Sequence, residues 1–241
     1  YYFWKFCSNK IYAITSPTEG SKKDLKDAKL FLKNKIFELE KKILNIYDIY
    51  KKRKLKIEEK FLINEKFILA IGRLTEQKNF KLLINFFYKI KNIDTEIKLV
   101  ILGSGEEKEH LKNLIKKFNL NDRIYLLGQK DNVYKYLYNC AFFILTSKWE
   151  DPGFVLIEAA ANRSLILSSN CPNGPKEFID NDKCGYLFQN DDIDSLIYKY
   201  NILMNEKIDI KKKKIFLALT KTKKYTIFSH TIKMCNILEG S

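Results

Sequence analysis

Two bases five residues apart, Arg73 and Lys78, stand in the polar stretch Gly72-Arg73-Leu74-Thr75-Glu76-Gln77-Lys78-Asn79, just after an apolar run at 67–71. If that run is a buried strand of a parallel sheet, its carboxyl end is where a ligand binds. Two cations on a loop that opens a helix suit a diphosphate, although two ordinary exposed bases would look the same. A second stretch, Ser147-Lys148-Trp149-Glu150-Asp151-Pro152-Gly153-Phe154-Val155-Leu156-Ile157-Glu158, follows the apolar run 141–145. Gly153 lets the backbone approach a ligand closely. The amides of Phe154 and Val155 would then point at an anion at the start of a helix. Glu150 lies in the loop and Glu158 about one turn into the helix. A carboxylate is a bidentate acceptor for adjacent sugar hydroxyls. Glu158 alone could be a surface residue, but its apolar neighbours are a poor setting for a solvated carboxylate.

The elements that must position these residues follow from periodicity. Short apolar runs at 67–71, 97–102, 123–127, 141–145, 165–167 and 186–188 read as strands. Amphipathic stretches at 80–90, 106–118, 133–138, 155–161 and 192–204 read as helices between or after them, and Pro175 suits the first turn of another. Strand–helix alternation at this spacing predicts an α/β, Rossmann-like parallel sheet with helices on both faces. The flanks are less regular. Residues 10–16 read as a strand and 17–21 as a turn. Residues 22–60 are Lys-rich without a convincing strand. The tail is a basic run from 211 followed by an amphipathic helix over 225–238. No internal repeat is present.

Composition excludes several classes. Of 241 residues 46% are hydrophobic, enough for a sizeable core. No apolar run approaches the roughly 18 residues of a membrane span. The aromatic start, Tyr1 to Phe6, does not read as a signal peptide, and without an initiator Met the chain reads as a piece of a longer one. Five widely spaced cysteines with no CxxC pair suit a reduced, cytoplasmic setting with thiols as core fillers. With only His110 and His230, a His-based metal site is not expected.

The formal charge of +15 invites a nucleic-acid reading. Its distribution weakens that reading. Residues 1–66 carry 17 bases against 9 acids, residues 67–204 carry 18 against 17, and residues 205–241 carry 9 against 3. Only four bases are Arg (Arg53, Arg73, Arg123, Arg163), whereas base-edge readers lean on Arg forks. Solvated faces or an anionic membrane surface explain the excess at the ends better than nucleic acid.

In combination the motifs resemble the donor-binding domain of retaining GT-B glycosyltransferases, the large bacterial "family four" or glycosyl transferases group 1. The pattern G-R-x(4)-K-[NG] appears as Gly72-Arg73…Lys78-Asn79. The G-x-G of the next strand appears as Gly103-Ser104-Gly105, and E-x(7)-E as Glu150…Glu158. Asn173-Gly174-Pro175-Lys176-Glu177 and Gly185-Tyr186-Leu187-Phe188 are similar to the same family. The likeness runs over about residues 61–204. It departs at Asn162, where the family usually has Gly; Asn tolerates the left-handed conformation nearly as well.

The resemblance implies a nucleotide-diphosphate-sugar donor, UDP-linked, and transfer with retention to a glycan or lipid-linked glycan in cell-envelope polysaccharide synthesis. It implies catalytic roles for Arg73, Lys78 and Glu150. The donor site would comprise Gly72, Arg73, Lys78, Gly103, Gly105, Gln129, Asp131, Glu150, Gly153, Phe154, Val155 and Glu158. Arg73 and Lys78 would hold the diphosphate, Glu158 the ribose and Glu150 the sugar, with the loop Gln129-Lys130-Asp131-Asn132 at the base. No metal or cofactor is expected. Two D-x-D spellings, Asp180-Asn181-Asp182 and Asp192-Ile193-Asp194, read as a turn and a helix cap. Residues 1–60 would be the remnant of an N-terminal acceptor domain with a linker. Residues 205–241 would be a helical tail packing back toward it. The expected location is cytoplasmic, peripheral on the inner face of the membrane. A non-catalytic nucleotide-sugar-binding fragment and a sugar epimerase of the same fold are the alternatives.

Overall fold

A computed structural model describes residues 2–29, 31, 35–41 and 44–239. Six strands form one parallel sheet: β3 (Phe67–Ile71), β4 (Lys98–Leu102), β5 (Ile124–Leu126), β6 (Phe142–Leu145), β7 (Ile166–Ser169) and β8 (Tyr186–Phe188). Their spatial order is β5-β4-β3-β6-β7-β8. The chain winds outward from β3 to β5. It then returns to lay β6 against the other side of β3, pairing Ile68 with Phe142 and Leu69 with Phe143. The order therefore reverses between β3 and β6. The loops that leave those two strands diverge there and open a crevice.

Successive side chains of each strand enter opposite layers, as the period of two requires. Ile68, Ala70, Leu99, Ile101, Phe142 and Ile144 face one layer. That layer is closed by α4 (Phe80–Ile90), α5 (Lys108–Lys117) and α9 (Ile193–Asn205). Phe67, Leu69, Val100, Leu102, Phe143 and Leu145 face the other. It is closed by α6 (Tyr134–Asn139), α7 (Phe154–Ala161) and α8 (Pro175–Ile179). With both faces covered, the strands are apolar apart from Lys98 at the start of β4 and the two serines that end β7, which is why they stood out in the sequence.

The flanks differ from expectation. Of the strand expected at 10–16 only β1 (Ile14–Ser16) forms, preceded by α1 (Tyr2–Cys7). The expected turn at 17–21 is instead the start of α2 (Glu19–Asp27), because Thr18 accepts the Ser21 amide and caps it. The strand-free reading of 22–60 fails at β2 (Ile36–Glu38), which pairs in parallel with β1; α3 (Ile46–Lys52) follows. At the other end, the basic run does not interrupt structure. It lies within α10 (Ile208–Lys221), where Lys214 turns inward to donate to the Gly185 carbonyl at 3.2 Å. The last helix is α11 (Ile227–Glu239). The left-handed residue after α7 is Arg163, not Asn162. Asn162 keeps a negative φ and its side chain donates to the Glu158 carbonyl at 2.9 Å. Cys171 and Cys184 fill the core as expected, but Cys235 is exposed.

The two ends of the chain meet through one buried carboxylate. Glu40, 2% exposed, takes ion pairs from Lys233 at 2.6 Å and Lys224 at 3.4 Å. His230 of α11 donates from Nδ1 to the Glu40 carbonyl at 2.7 Å, and Tyr12 donates to the Leu238 carbonyl at 3.0 Å.

Two acids join α2 to β2. Burial, then a hydrogen bond to Glu19, pushes the Glu38 carboxyl up to about 7. The bond from Glu38 holds Glu19 below its ordinary range, with Lys22 assisting. A raised folded value stabilises fully below the ordinary 4.5 and is lost as pH rises through about 7. A lowered one stabilises above 4.5 and is lost on acidification. The docking of α2 is therefore firmest near pH 4.5 and loosens toward neutrality. Hydrogen exchange of the α2 and β2 amides, corrected for intrinsic rates, should show protection falling between about pH 5 and about pH 8. Glu38→Gln should abolish that fall; equal protection at both values would refute the pairing.

Candidate active site

The two motif loops leave β3 and β6 at the reversal of strand order. The first is fastened to the loop after β4. Leu74 donates to the Ser104 carbonyl and accepts from the Glu107 amide, both at 2.9 Å, and Gly72 donates to the Leu102 carbonyl at 3.0 Å. A Cβ on Gly103, at φ 142°, would lie 1.9 Å from the Gly72 oxygen, and one on Gly105 would lie 2.4 Å from the Leu74 oxygen. The G-x-G pair is thus what lets the two loops touch. Asn79 adopts φ 52° at the entry to α4, and its side chain donates to Asp191 at 2.8 Å. A left-handed backbone there explains why Asn or Gly is the residue type required.

Between these loops and the end of β5 lies a cleft of about 230 Å³. It is lined by Gly72, Arg73, Gly103, Ser104, Gln129 and Lys130, among others. Arg73 is exposed at its rim and has no acceptor among the described residues. Gln129, from the loop expected to line the base, is part of this lining. Asp131 is exposed and not part of the lining. Asn132 instead donates to the Lys52 carbonyl at 3.0 Å, and Lys130 also pairs with Glu59 at 2.6 Å.

Lys78 and Glu150 come together across the reversal point as a buried ion pair, with side-chain exposures of 13% and 6%. Ser147 adds a hydrogen bond to the same Glu150 oxygen. The loop backbones are tied as well: Lys148 donates to the Gln77 carbonyl at 2.8 Å, and Gln77 donates through Nε2 to the Trp149 carbonyl at 2.9 Å. Thr146 donates to the Lys78 carbonyl at 2.9 Å. Asn190 donates to the Lys148 carbonyl at 2.8 Å.

Gly153, at φ 79°, turns the chain into α7. The Leu156 amide bonds back to the Gly153 carbonyl, while the Phe154 and Val155 amides have no protein acceptor among the described residues. They are free to receive an anion at the helix start. Glu158 is half-buried, and its carboxylate makes no hydrogen bond or ion pair among the described residues. Burial alone raises its pKa. Its charge is felt by Tyr134, whose neighbour Val133 lines the cleft. Behind the loop, Gly174 packs so closely that a Cβ would lie 2.0 Å from the Pro152 oxygen.

The D-x-D spellings are engaged elsewhere. Asp182 accepts the Leu187 amide at 2.6 Å and pairs with Lys199, while Asp192 caps α9 through the Asp194 and Ser195 amides. Sequence reasoning missed Ser147, Thr146 and Asn190. Nothing in the spacing of Thr146 and Asn190 marks them, since their partners lie 68 and 42 residues away, whereas Ser147 stands three residues before Glu150, a spacing that could have marked it.

The family model described as glycosyl transferases group 1 matches residues 51–217. The chain belongs to this family. The match extends beyond the motif region into both flanks. An uncharacterised glycosyltransferase of Methanocaldococcus jannaschii is 35% identical over 209 residues, which is 84% of this chain and 48% of that protein. A Campylobacter jejuni N-acetylgalactosamine-N,N'-diacetylbacillosaminyl-diphospho-undecaprenol 4-alpha-N-acetylgalactosaminyltransferase is 35% identical over 165 residues, 68% of this chain and 44% of that one. The chain spans about half the length of these curated relatives. A Staphylococcus aureus TarM mutant, solved with fondaparinux, alpha-GlcNAc-glycerol and UDP, superposes with TM-score 0.79 at 25% identity. The alignment covers 98% of this chain and 45% of TarM. Anabaena HepE, solved with UDP and glucose, shares the fold at TM-score 0.80 and 15% identity, over 98% of this chain and 65% of that one. The expected α/β architecture of a GT-B transferase is thus the one observed.

The Lys78–Glu150 pair gives a stability test. Removing one partner of a buried pair leaves the other charge unpaired, and replacing both with apolar groups does not. Lys78→Met should lower unfolding free energy by about 2–3 kcal/mol, less than a fully sealed pair would, because Lys78 keeps some solvent contact and Ser147 still serves Glu150. The double variant Lys78→Met/Glu150→Leu should recover most of the loss. Urea denaturation checks both; additive losses would show that the two side chains do not depend on each other.

Proposed function

We propose that this chain supplies the donor half of a glycosyltransferase that takes a sugar from a nucleotide diphosphate, UDP, and passes it to a glycan or lipid-linked glycan with retention at the anomeric carbon. The observation that carries the reading is the set of open valences around one crevice. Arg73 has no acceptor, the Phe154 and Val155 amides have none, and Glu158 has no donor among the described residues. Diphosphate oxygens fit the first three, and the adjacent hydroxyls of a ribose fit the carboxylate. Lys78 reaches the diphosphate by exchanging Glu150 for it, which frees Glu150 to accept from sugar hydroxyls. As the glycosidic C–O bond breaks, its electrons go to the diphosphate, and the cations stabilise that charge without a metal.

The acceptor class is supported by relatives named for lipid-linked glycan and poly(ribitol-phosphate) transfer. Residues 1–60 then serve as the end of the acceptor-side unit and residues 205–241 as the tail returning to it. The Lys-rich ends suit a peripheral position on an anionic membrane. No helix among the described residues is long and apolar enough to cross one.

The roles of the two glutamates separate in a titration. Glu158→Gln removes a charge that only the ligand satisfies, so stability should hold while UDP binding weakens by about 1–3 kcal/mol. Wild-type UDP affinity should also fall as pH drops through the raised Glu158 value, because only the ionised carboxylate takes both hydroxyls. Glu150→Gln releases Lys78, so UDP binding should be no weaker while UDP-sugar binding falls. Calorimetry with UDP and UDP-sugar measures each. Equal damage to UDP binding by both variants would show the roles to be wrongly assigned.

A further inference from the structure

A second groove lies at the opposite end of β3 from the donor cleft. Its volume is about 770 Å³, and its lining includes Arg53, Lys54, Lys56, Phe67 and Tyr138. Phe67 opens β3, whereas the donor cleft lies beyond Ile71 at the strand's other end.

Arg53 has the unusual environment. It is 8% exposed, and its Nε is sealed from solvent without a hydrogen-bond partner. The rings of Tyr50 and Tyr138 stand 4.9 and 5.0 Å from the guanidinium carbon. Neither ring takes a conventional hydrogen bond, so the Nη groups are also left without an acceptor, and their paired N–H donors match two oxygens of a phosphate. No acceptor for the Arg53 side chain occurs among the described residues. The carboxylates nearby are engaged elsewhere: Asp48 with Lys52 at 3.5 Å, Glu58 with Lys135 at 2.8 Å, Glu59 with Lys130 at 2.6 Å and Glu65 with Lys98 at 3.3 Å.

The charged lining is Arg53, Lys54 and Lys56 against one acid, Glu65, whose carboxylate is paired with Lys98. Lys54 donates to the Tyr50 hydroxyl at 2.9 Å. That bond, then the charges of Lys54, Arg53 and Arg163, favour the ionised phenol of Tyr50. Lys56 shares the groove without an ion-pair partner among the described residues. A buried cation without a counter-ion is costly, and a bound anion removes that cost.

We propose that this groove is a second, non-donor site for a phosphate group, held by the fork of Arg53 and by the charges of Lys54 and Lys56. The phosphate belongs either to a free ion or to the headgroup of an anionic lipid. The site does not rest on the donor assignment.

With only four arginines, the arginine Nε–H signals of the 241-residue chain form a short and assignable NMR set. Titration with inorganic phosphate should shift the Arg53 signal saturably, independently of any shift at Arg73. Lys56→Glu, on an exposed residue that leaves the core untouched, should weaken that response about tenfold. Arg53→Lys keeps the charge but loses the fork and the reporting signal with it, so its phosphate binding is read by calorimetry and should weaken as much. The same variants are then tested for binding to vesicles of phosphatidylglycerol with phosphatidylcholine. Loss of vesicle binding in both identifies a lipid headgroup; a phosphate response with unchanged vesicle binding identifies a free ion. An Arg53 signal that moves with neither phosphate nor vesicles overturns the proposal. So does a phosphate response that Lys56→Glu leaves intact.

Discussion

The crevice depends on one ion pair placed where the sheet changes direction. β3 and β6 are neighbours in the sheet but lie 70 residues apart in sequence, and their loops would separate without a tie. Lys78 and Glu150 provide it, and the backbone bonds of Lys148 and Thr146 reinforce it. The pair is nearly dry, so its Coulomb attraction is stronger than a surface pair's, but so is the cost of stripping water from both charges. Such a pair contributes little net stability. Its effect is geometric: it holds a base and an acid together at the point where the strand order reverses.

The same loop is held from the outside by the N-terminal segment. Asp151 accepts from Ser21 at 2.6 Å and Thr18 at 3.2 Å, and Glu177 accepts the Gly20 amide at 2.8 Å. Two carboxylates thus sit at the positive end of α2. A Cβ on Gly20 would lie 2.1 Å from the Asn173 side-chain oxygen, so any larger residue there would push that side chain aside. The acid paired with Lys78, Glu150, and the acid that anchors the segment, Asp151, are adjacent in the chain. Movement of α2 is therefore coupled to the loop that carries Glu150, and α2 is in turn coupled to β2 through Glu19 and Glu38.

What could be read in advance divides along physical lines. The six long-range strands were legible because burial on both faces makes them continuous apolar runs, and Asp192 was legible as a cap because capping is local. β2 was not, since three residues in a two-stranded ribbon, flanked by lysines, carry no period. The basic run from 211 was read without a helix of its own because charge alone does not reveal that Lys214 reaches inward over the Tyr186 ring. Asn162 was expected to take the left-handed conformation on residue type. Its side-chain bond to the Glu158 carbonyl favoured a helical φ, and the positive φ passed to Arg163. Among the site residues, Arg73, Lys78, Glu150 and Glu158 were visible as types at a spacing. Their pairing was not, because spacing does not say that Lys78 meets Glu150 while Glu158 meets no partner.

That asymmetry between the two glutamates has a thermodynamic consequence. Glu150 is buried with its counter-charge and Ser147, whereas Glu158 is half-buried among apolar neighbours and its raised pKa has desolvation as its only cause. An uncompensated carboxylate costs stability, and it persists where a ligand supplies the missing donors. The unliganded crevice is therefore neutralised at one acid and strained at the other. On the proposed reading, a diphosphate ester would enter such a site by two different exchanges: its charge would displace Glu150 from Lys78, and its hydroxyls would relieve Glu158. The first exchange is nearly balanced, since one anion replaces another. The second is a gain, since donors arrive where there were none. Affinity should therefore reside mainly at Glu158, in the part of the ligand that does not react. On the same reading the freed Glu150 would stand beside the bond that breaks.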